Sequence, residues 1–184
     1  MAYRRLFILV EGSDDERFVF ALSEPLKAIA GYDHIQPYAY ANAPTKKVEG
    51  LIRSIRNMEG AEYVYCTDLN DSPCIQAKKR KLQDSKGFLD ASRIIVVVPE
   101  IEAWYVAGLN DQAFQALGIR PQNCTDDVTK EVFNHLKPRR FRLRLDFTQE
   151  LLKHFQIRTA RQHNRSFDYF MGKLEQLRTQ RETP

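Results

Sequence analysis

A chain of 184 residues, 43% apolar and 28% charged with a net charge of +4, is large enough for one folded domain with a sizeable core. No apolar run reaches membrane-spanning length and the N-terminus lacks the apolar stretch of a signal peptide, so neither a membrane protein nor a secreted one is expected. The three cysteines (Cys66, Cys74, Cys124) form no CxxC pair, which argues against a disulfide framework or structural zinc and for a reducing cytoplasm.

In chain order, Leu6–Val10 is a continuous apolar run that reads as a central strand covered on both faces. Ser13 with Glu16 forms the pattern of a capping box and predicts a helix from about Asp14, interrupted near Pro25. Ile35–Tyr40 reads as an edge strand, because Pro37 cannot donate to a ladder. Val48, Leu51, Ile52 and Ile55 fall at helical spacing and predict a helix over Thr45–Met58. Glu62–Cys66 is a short aromatic and β-branched strand that leads to Thr67-Asp68, and Gln76–Gln83 reads as a basic helix. Ile94–Val98 is the strongest strand of the sequence and stops at Pro99-Glu100.

Beyond Glu100 the spacing predicts helices over Ile101–Leu109, Asp111–Leu117, Asp127–Leu136, Thr148–Phe155 and Phe167–Leu177. The alternation "RFRLRL" at Arg140–Leu145 also fits an extended strand with its arginines on one face. Strands alternating with helices imply right-handed crossovers and a mostly parallel four-stranded sheet flanked by helices. Residues 1–110 are expected to form this α/β core, with 111–184 as a helical, basic extension of the same folded unit.

In such a sheet Glu11, Asp68 and Glu100 follow three different strands and so lie along one carboxyl edge, where open α/β sheets bind ligands. Asp15 follows Glu11 by four residues, Asn70 and Asp71 follow Asp68, and Glu102 follows Glu100. Crowded carboxylates repel unless a cation or shared proton intervenes, and hard oxygen donors without His or Cys suit Mg²⁺ or Mn²⁺. Asp14 and Glu16 are better explained as acids at a helix N-terminus. Asp68 and Asp71 also suit turn positions ahead of Pro73.

The charge is unevenly spread. Met1–Ile75 carries 11 acids against 8 Lys/Arg, whereas Pro138–Arg165 carries eight Lys/Arg and two acids. Arg139, Arg140, Arg142, Arg144, Arg158, Arg161 and Arg165, with Lys78, Lys79 and Arg80, are the candidates for an anionic partner; a solvated helix face is the alternative. Phe141, Phe155 and Phe167 sit among these arginines at spacing that suits core packing. No GxxxxGK[ST], GxSxG or HExxH is present, which excludes those phosphate-loop, hydrolase and zinc-protease chemistries.

"FILVEGSDDERFV" resembles the opening of a Toprim domain, where a glutamate-glycine pair ends the first strand, and "VYCTDLND" resembles its later aspartate motif. "VVVPEIEAWYVAG" and "RTARQHNRSFDYFMGKLEQL" are similar to segments of small, poorly characterised Toprim-like proteins. The resemblance spans most of the chain and implies a Toprim-like α/β fold related to that of the overcoming-lysogenization-defect nucleases. It implies divalent metal held by Glu11, Asp15, Asp68 and a later glutamate. The departure is Asn70, an amide where Toprim domains carry a second aspartate, with Asp71 one place late.

The resulting expectation is Mg²⁺- or Mn²⁺-dependent phosphodiester hydrolysis of DNA or RNA, with Glu11 and Asp68 catalytic. An ATPase or another protein is a conceivable partner, and a membrane is not. The competing expectation is a degenerate module that binds nucleic acid or a partner without turnover. A receiver-like phospho-acceptor is a third, disfavoured for want of a hydroxyl residue after the fourth strand.

Overall fold

The computed structural model describes residues 3–182. Four strands, β1 (Arg5–Val10), β2 (His34–Ala39), β3 (Ala61–Asp68) and β4 (Ile94–Val97), form one sheet in the order β2-β1-β3-β4. β1 pairs in parallel with β2 on one side and with β3 on the other. Backbone packing divides the chain into two compact units, one up to Val96 together with Lys173 onward, the other Val97–Gly172.

In the first unit, Leu6, Ile8, Leu9 and Val10 of β1 are all buried, as a strand covered on both faces requires. The chain leaves β1 through α1 (Ser13–Ala21) and α2 (Ser23–Ala30) to reach β2 on one side. It then crosses through α3 (Thr45–Arg56) to β3 on the other side. The direction of winding therefore reverses between β1 and β3, whose carboxyl ends make the crevice in which such sheets hold ligands. α1 and α2 break at Leu22, and Pro25 falls in the first turn of α2, where its missing N–H has no intrahelical partner to lose. Gly31 then closes α2 in a left-handed conformation at φ 68°. β2 is the edge strand that Pro37 requires. α4 (Ile75–Ser85) follows the loop after β3 and buries no residue fully.

The second unit is helical among its described residues: α5 (Ile101–Ala107), α6 (Asp111–Leu117), α7 (Lys130–Leu136), α8 (Arg144–Lys153), α9 (Ile157–His163) and the start of α10 (Arg165–Glu182). Its centre is Trp104, which donates from Nε1 to Ser166 Oγ at 2.8 Å and packs against Phe167 and Phe170 at 5.2 and 5.0 Å. Asn164, between α9 and α10, is buried with every polar atom used. Its Oδ1 accepts from Ser166 Oγ and Phe167 N–H, and its Nδ2 donates to Thr125 Oγ1 and the Val98 carbonyl. The "HNRSF" segment thus ties a helix junction.

Three sequence expectations are corrected here. α1 starts at Ser13 with Gly12 as its cap, and the reciprocal carboxylate is Asp15, whose Oδ2 accepts the Gly12 N–H at 3.2 Å, rather than Glu16. Arg140–Leu145 is not a strand: Arg140 reaches the Ala116 and Leu117 carbonyls at the end of α6, and α8 begins at Arg144. The helix expected from Asp127 begins at Lys130, because Thr129 caps it by accepting the Val132 N–H.

Candidate functional site

Glu11 is the first residue after β1. Its carbonyl accepts the Ala41 N–H at 3.0 Å, so the β1–β2 ladder continues one step past the strand. In the β1–β3 register Leu9 faces Tyr65, which carries Glu11 opposite Thr67 and on the same face. Thr67 Oγ1 accordingly donates to Glu11 Oε1 at 2.7 Å. Tyr40 OH lies 3.5 Å from the same oxygen but has a shorter acceptor, the Cys66 carbonyl at 2.9 Å. One phenolic proton serves one strong bond, and here it goes to Cys66.

Behind Glu11 the rings of Tyr40 and Tyr65 stack with centroids 4.4 Å apart. Lys86, the residue that ends α4, donates to Tyr65 OH at 2.8 Å and sits 5.2 and 5.3 Å from the two ring centroids. Burial, with Tyr65 and then Glu11 adding to it, pushes the Tyr40 phenol far above its ordinary range, so it remains a neutral donor. Sequence reading missed Tyr40, Tyr65, Thr67 and Lys86. Period-two alternation along "YVYCTD" did signal that Tyr65 and Thr67 share a face.

Asp15 is 6% exposed and committed to the Gly12 N–H. Asp68 is the last residue of β3, and its Oδ1 is buried. Both carboxylates act on the thiol of Cys66: burial first, then Asp15, then Asp68, raise it well above its ordinary value. Asp68 is the residue after the Thr67 that holds Glu11, and Asp15 lies in the first turn of the helix that follows Glu11. Asn70 and Asp71 lie on an exposed turn, with Asn70 in the left-handed region at φ 48°, a conformation asparagine tolerates better than most residues.

The raised thiol carries a linkage. Cys66 stays protonated in the fold, so its contribution to stability is present below the ordinary thiol value of 9.0 and is lost as pH rises beyond it. Cys74 and Cys124 are exposed. Alkylation of the native protein at mildly alkaline pH is expected to add two labels by intact mass, with the third, on Cys66, only after denaturation.

In the second unit Glu100 caps α5 and accepts the Lys130 N–H at 2.8 Å. Glu102 is 5% exposed and paired with Arg144, which also donates to Asn134 and lies over the Phe133 ring at 4.9 Å. Other arginines of the basic stretch are committed too, Arg140 to helix carbonyls and Arg161 to Asp168, while Arg165 is almost fully exposed beside Asp126. Arg139, Arg142 and Arg158 are exposed, and among the described residues have no ion-pair partner. Phe155 and Phe141 pack on Phe167 and Phe147, as core spacing predicted. In the first unit Lys78 and Lys79 are half-buried and Arg80 is exposed on α4, and burial lowers the Lys79 ammonium below its ordinary value.

Among the described residues no three His, Cys, Asp or Glu side chains are placed together as ligands of one ion. The donors beside the crevice nevertheless fit a hard cation in kind, since they are carboxylates and hydroxyls and the nearest thiol is held protonated. Mg²⁺ in particular is bound through one or two carboxylates with waters and substrate phosphates completing its shell.

No protein-family model matches the chain, and no curated protein matches it. Among solved structures, the C-terminal region of the OLD protein of Xanthomonas campestris pv. campestris aligns over 100% of both chains with a TM-score of 0.53 and 17% identity. The C-terminal region of the Burkholderia pseudomallei OLD protein aligns over 97% of this chain and 99% of its own, with a TM-score of 0.42 and 16% identity. The likeness is one of fold: the α/β, Toprim-like arrangement expected from the sequence is the one observed. No helix of the described residues is long and apolar enough to cross a membrane.

Proposed function

We propose that the chain is a Mg²⁺- or Mn²⁺-dependent nuclease that hydrolyses phosphodiester bonds at the crevice between β1 and β3. The observation that carries this reading is the Thr67–Glu11 hydrogen bond, which ties the carboxylate following β1 to the carboxyl end of β3 beside Asp68. Glu11 and Asp68 would hold the ion, with water and substrate phosphate completing its shell. When bound, it supplies Lewis acidity to a phosphate oxygen and offsets charge in the transition state.

The chain's own residues do the rest. Thr67 occupies Oε1 of Glu11 and fixes its rotamer, which leaves Oε2 to face the ion or take a proton from water. Lys78 and Arg80, on the helix that follows the Asp68 loop, would hold the backbone of DNA or RNA. Glu102 is a poor ligand, because its buried carboxylate is already paired with Arg144. Asn70 and Asp71, on the turn after Asp68, would add oxygen donors to the shell.

A second reading is favoured by Asn70, a neutral amide on an exposed turn where a carboxylate would be wanted. On that reading the fold binds nucleic acid or a protein without turnover. Incubating purified protein with single- and double-stranded DNA and RNA, with Mg²⁺, Mn²⁺ or chelator, separates the two. Cleavage that needs the metal supports the nuclease. Salt-sensitive binding that ignores chelator and yields no product supports the binding module.

A further inference from the structure

The second unit carries an open groove of about 560 Å³ between the segment that leaves α6 and the end of α7. Its open floor is aliphatic, Val132 at 41% exposed and the half-buried Leu136, with Ile119 almost buried beneath them. Its rim is cationic: Arg120, Lys137 and Arg139, with His135 beside them. No acid and no aromatic ring lines it among the described residues. Helix C-termini attract cations, which accounts for His135 and for Lys137, whose ammonium is held on the Phe141 carbonyl at 2.6 Å. Arg120 and Arg139 lie beyond the last turns of their helices. Both are exposed, and among the described residues neither has an ion-pair partner.

We propose that this groove docks an acidic, aliphatic-bearing polypeptide segment of a partner protein. Charge complementarity calls for an anionic occupant, and the floor decides its class. A phosphodiester backbone gains nothing by covering Val132 and Leu136, and the lining offers no ring on which a base would stack. A segment that alternates carboxylates with aliphatic side chains satisfies rim and floor together, in the manner of an amphipathic peptide laid in a groove. This interaction does not depend on the proposed metal chemistry.

The test uses the full chain and a fluorescent peptide alternating glutamate with leucine, followed by anisotropy over a salt series, with polyglutamate and single-stranded and duplex DNA as comparators. Saturable, salt-sensitive binding of the Glu-Leu peptide, tighter than polyglutamate, is expected. Arg120→Glu with Arg139→Glu should weaken it about tenfold or more, and Val132→Asp by a similar factor. Val132 is solvent-exposed, so its variant keeps the wild-type melting curve. Failure of the Glu-Leu peptide to saturate overturns the proposal. So does DNA binding that falls in the arginine variant and is indifferent to Val132→Asp, which would make the groove a nucleic-acid surface.

Discussion

Glu11→Gln is expected to remove metal-dependent cleavage while leaving the fold intact. Glutamine keeps an Oε1 that accepts from Thr67, so the tie between the end of β1 and the end of β3 survives. What disappears is the negative charge and the second oxygen. Loss of a ligand that contributes several kcal/mol of transition-state stabilisation corresponds to a fall of about 10²–10³ in rate. The melting temperature should hold, since the Thr67 hydrogen bond is kept. Mn²⁺ affinity, measured by electron paramagnetic resonance without substrate, should fall in parallel. Thr67→Val gives the contrast: the charge stays but its rotamer is released, and a smaller loss of about tenfold is expected. Undiminished cleavage in Glu11→Gln would remove Glu11 from the chemistry and, with it, the proposed site.

The strand ends were legible because a buried strand and the acid that follows it are adjacent in sequence. Leu6–Val10 reads as a central strand without any knowledge of its neighbours, and Pro37 alone puts β2 at an edge. Whatever depends on pairing partners far apart in the chain was not legible. Thr67 became a partner of Glu11 only through the β1–β3 register, across 56 residues. Lys86 reaches the Tyr40–Tyr65 stack because α4 ends beside it. The capping error has a local cause: Ser13-x-x-Glu16 and Gly12-x-x-Asp15 are overlapping frames, and the backbone, not the pattern, selects between them. α9 went unseen since Ala160 is its only buried residue, which leaves no apolar stripe to read. The basic stretch misled in a different way, because a guanidinium that closes a helix end or pairs with a buried glutamate looks in sequence like one that waits for phosphate.

Gly108→Ala should be the most damaging small substitution in the second unit. The residue follows α5 at φ −78° and ψ 0°, a conformation any amino acid adopts, so the backbone raises no objection. The obstacle is Phe155, whose ring carbons would lie 2.2, 2.4 and 2.6 Å from an added Cβ. The ring has little room to retreat, since it packs edge-on against the buried Phe167 at 5.7 Å. The neighbouring backbone is held as well, by the Gln156 N–H donated to the Gly108 carbonyl at 2.8 Å. Overpacking of this kind costs about 3 kcal/mol. Phe155→Leu alone loses packing, but in the double variant it clears the space that alanine needs. The two changes together should therefore cost less than their sum, with a coupling of about 1–2 kcal/mol in urea unfolding midpoints. Strict additivity, or a single Gly108→Ala variant as stable as the parent, would mean that the helix end shifts to admit a methyl group and that the close approach of Gly108 to Phe155 is not what holds α5 against the segment after α8.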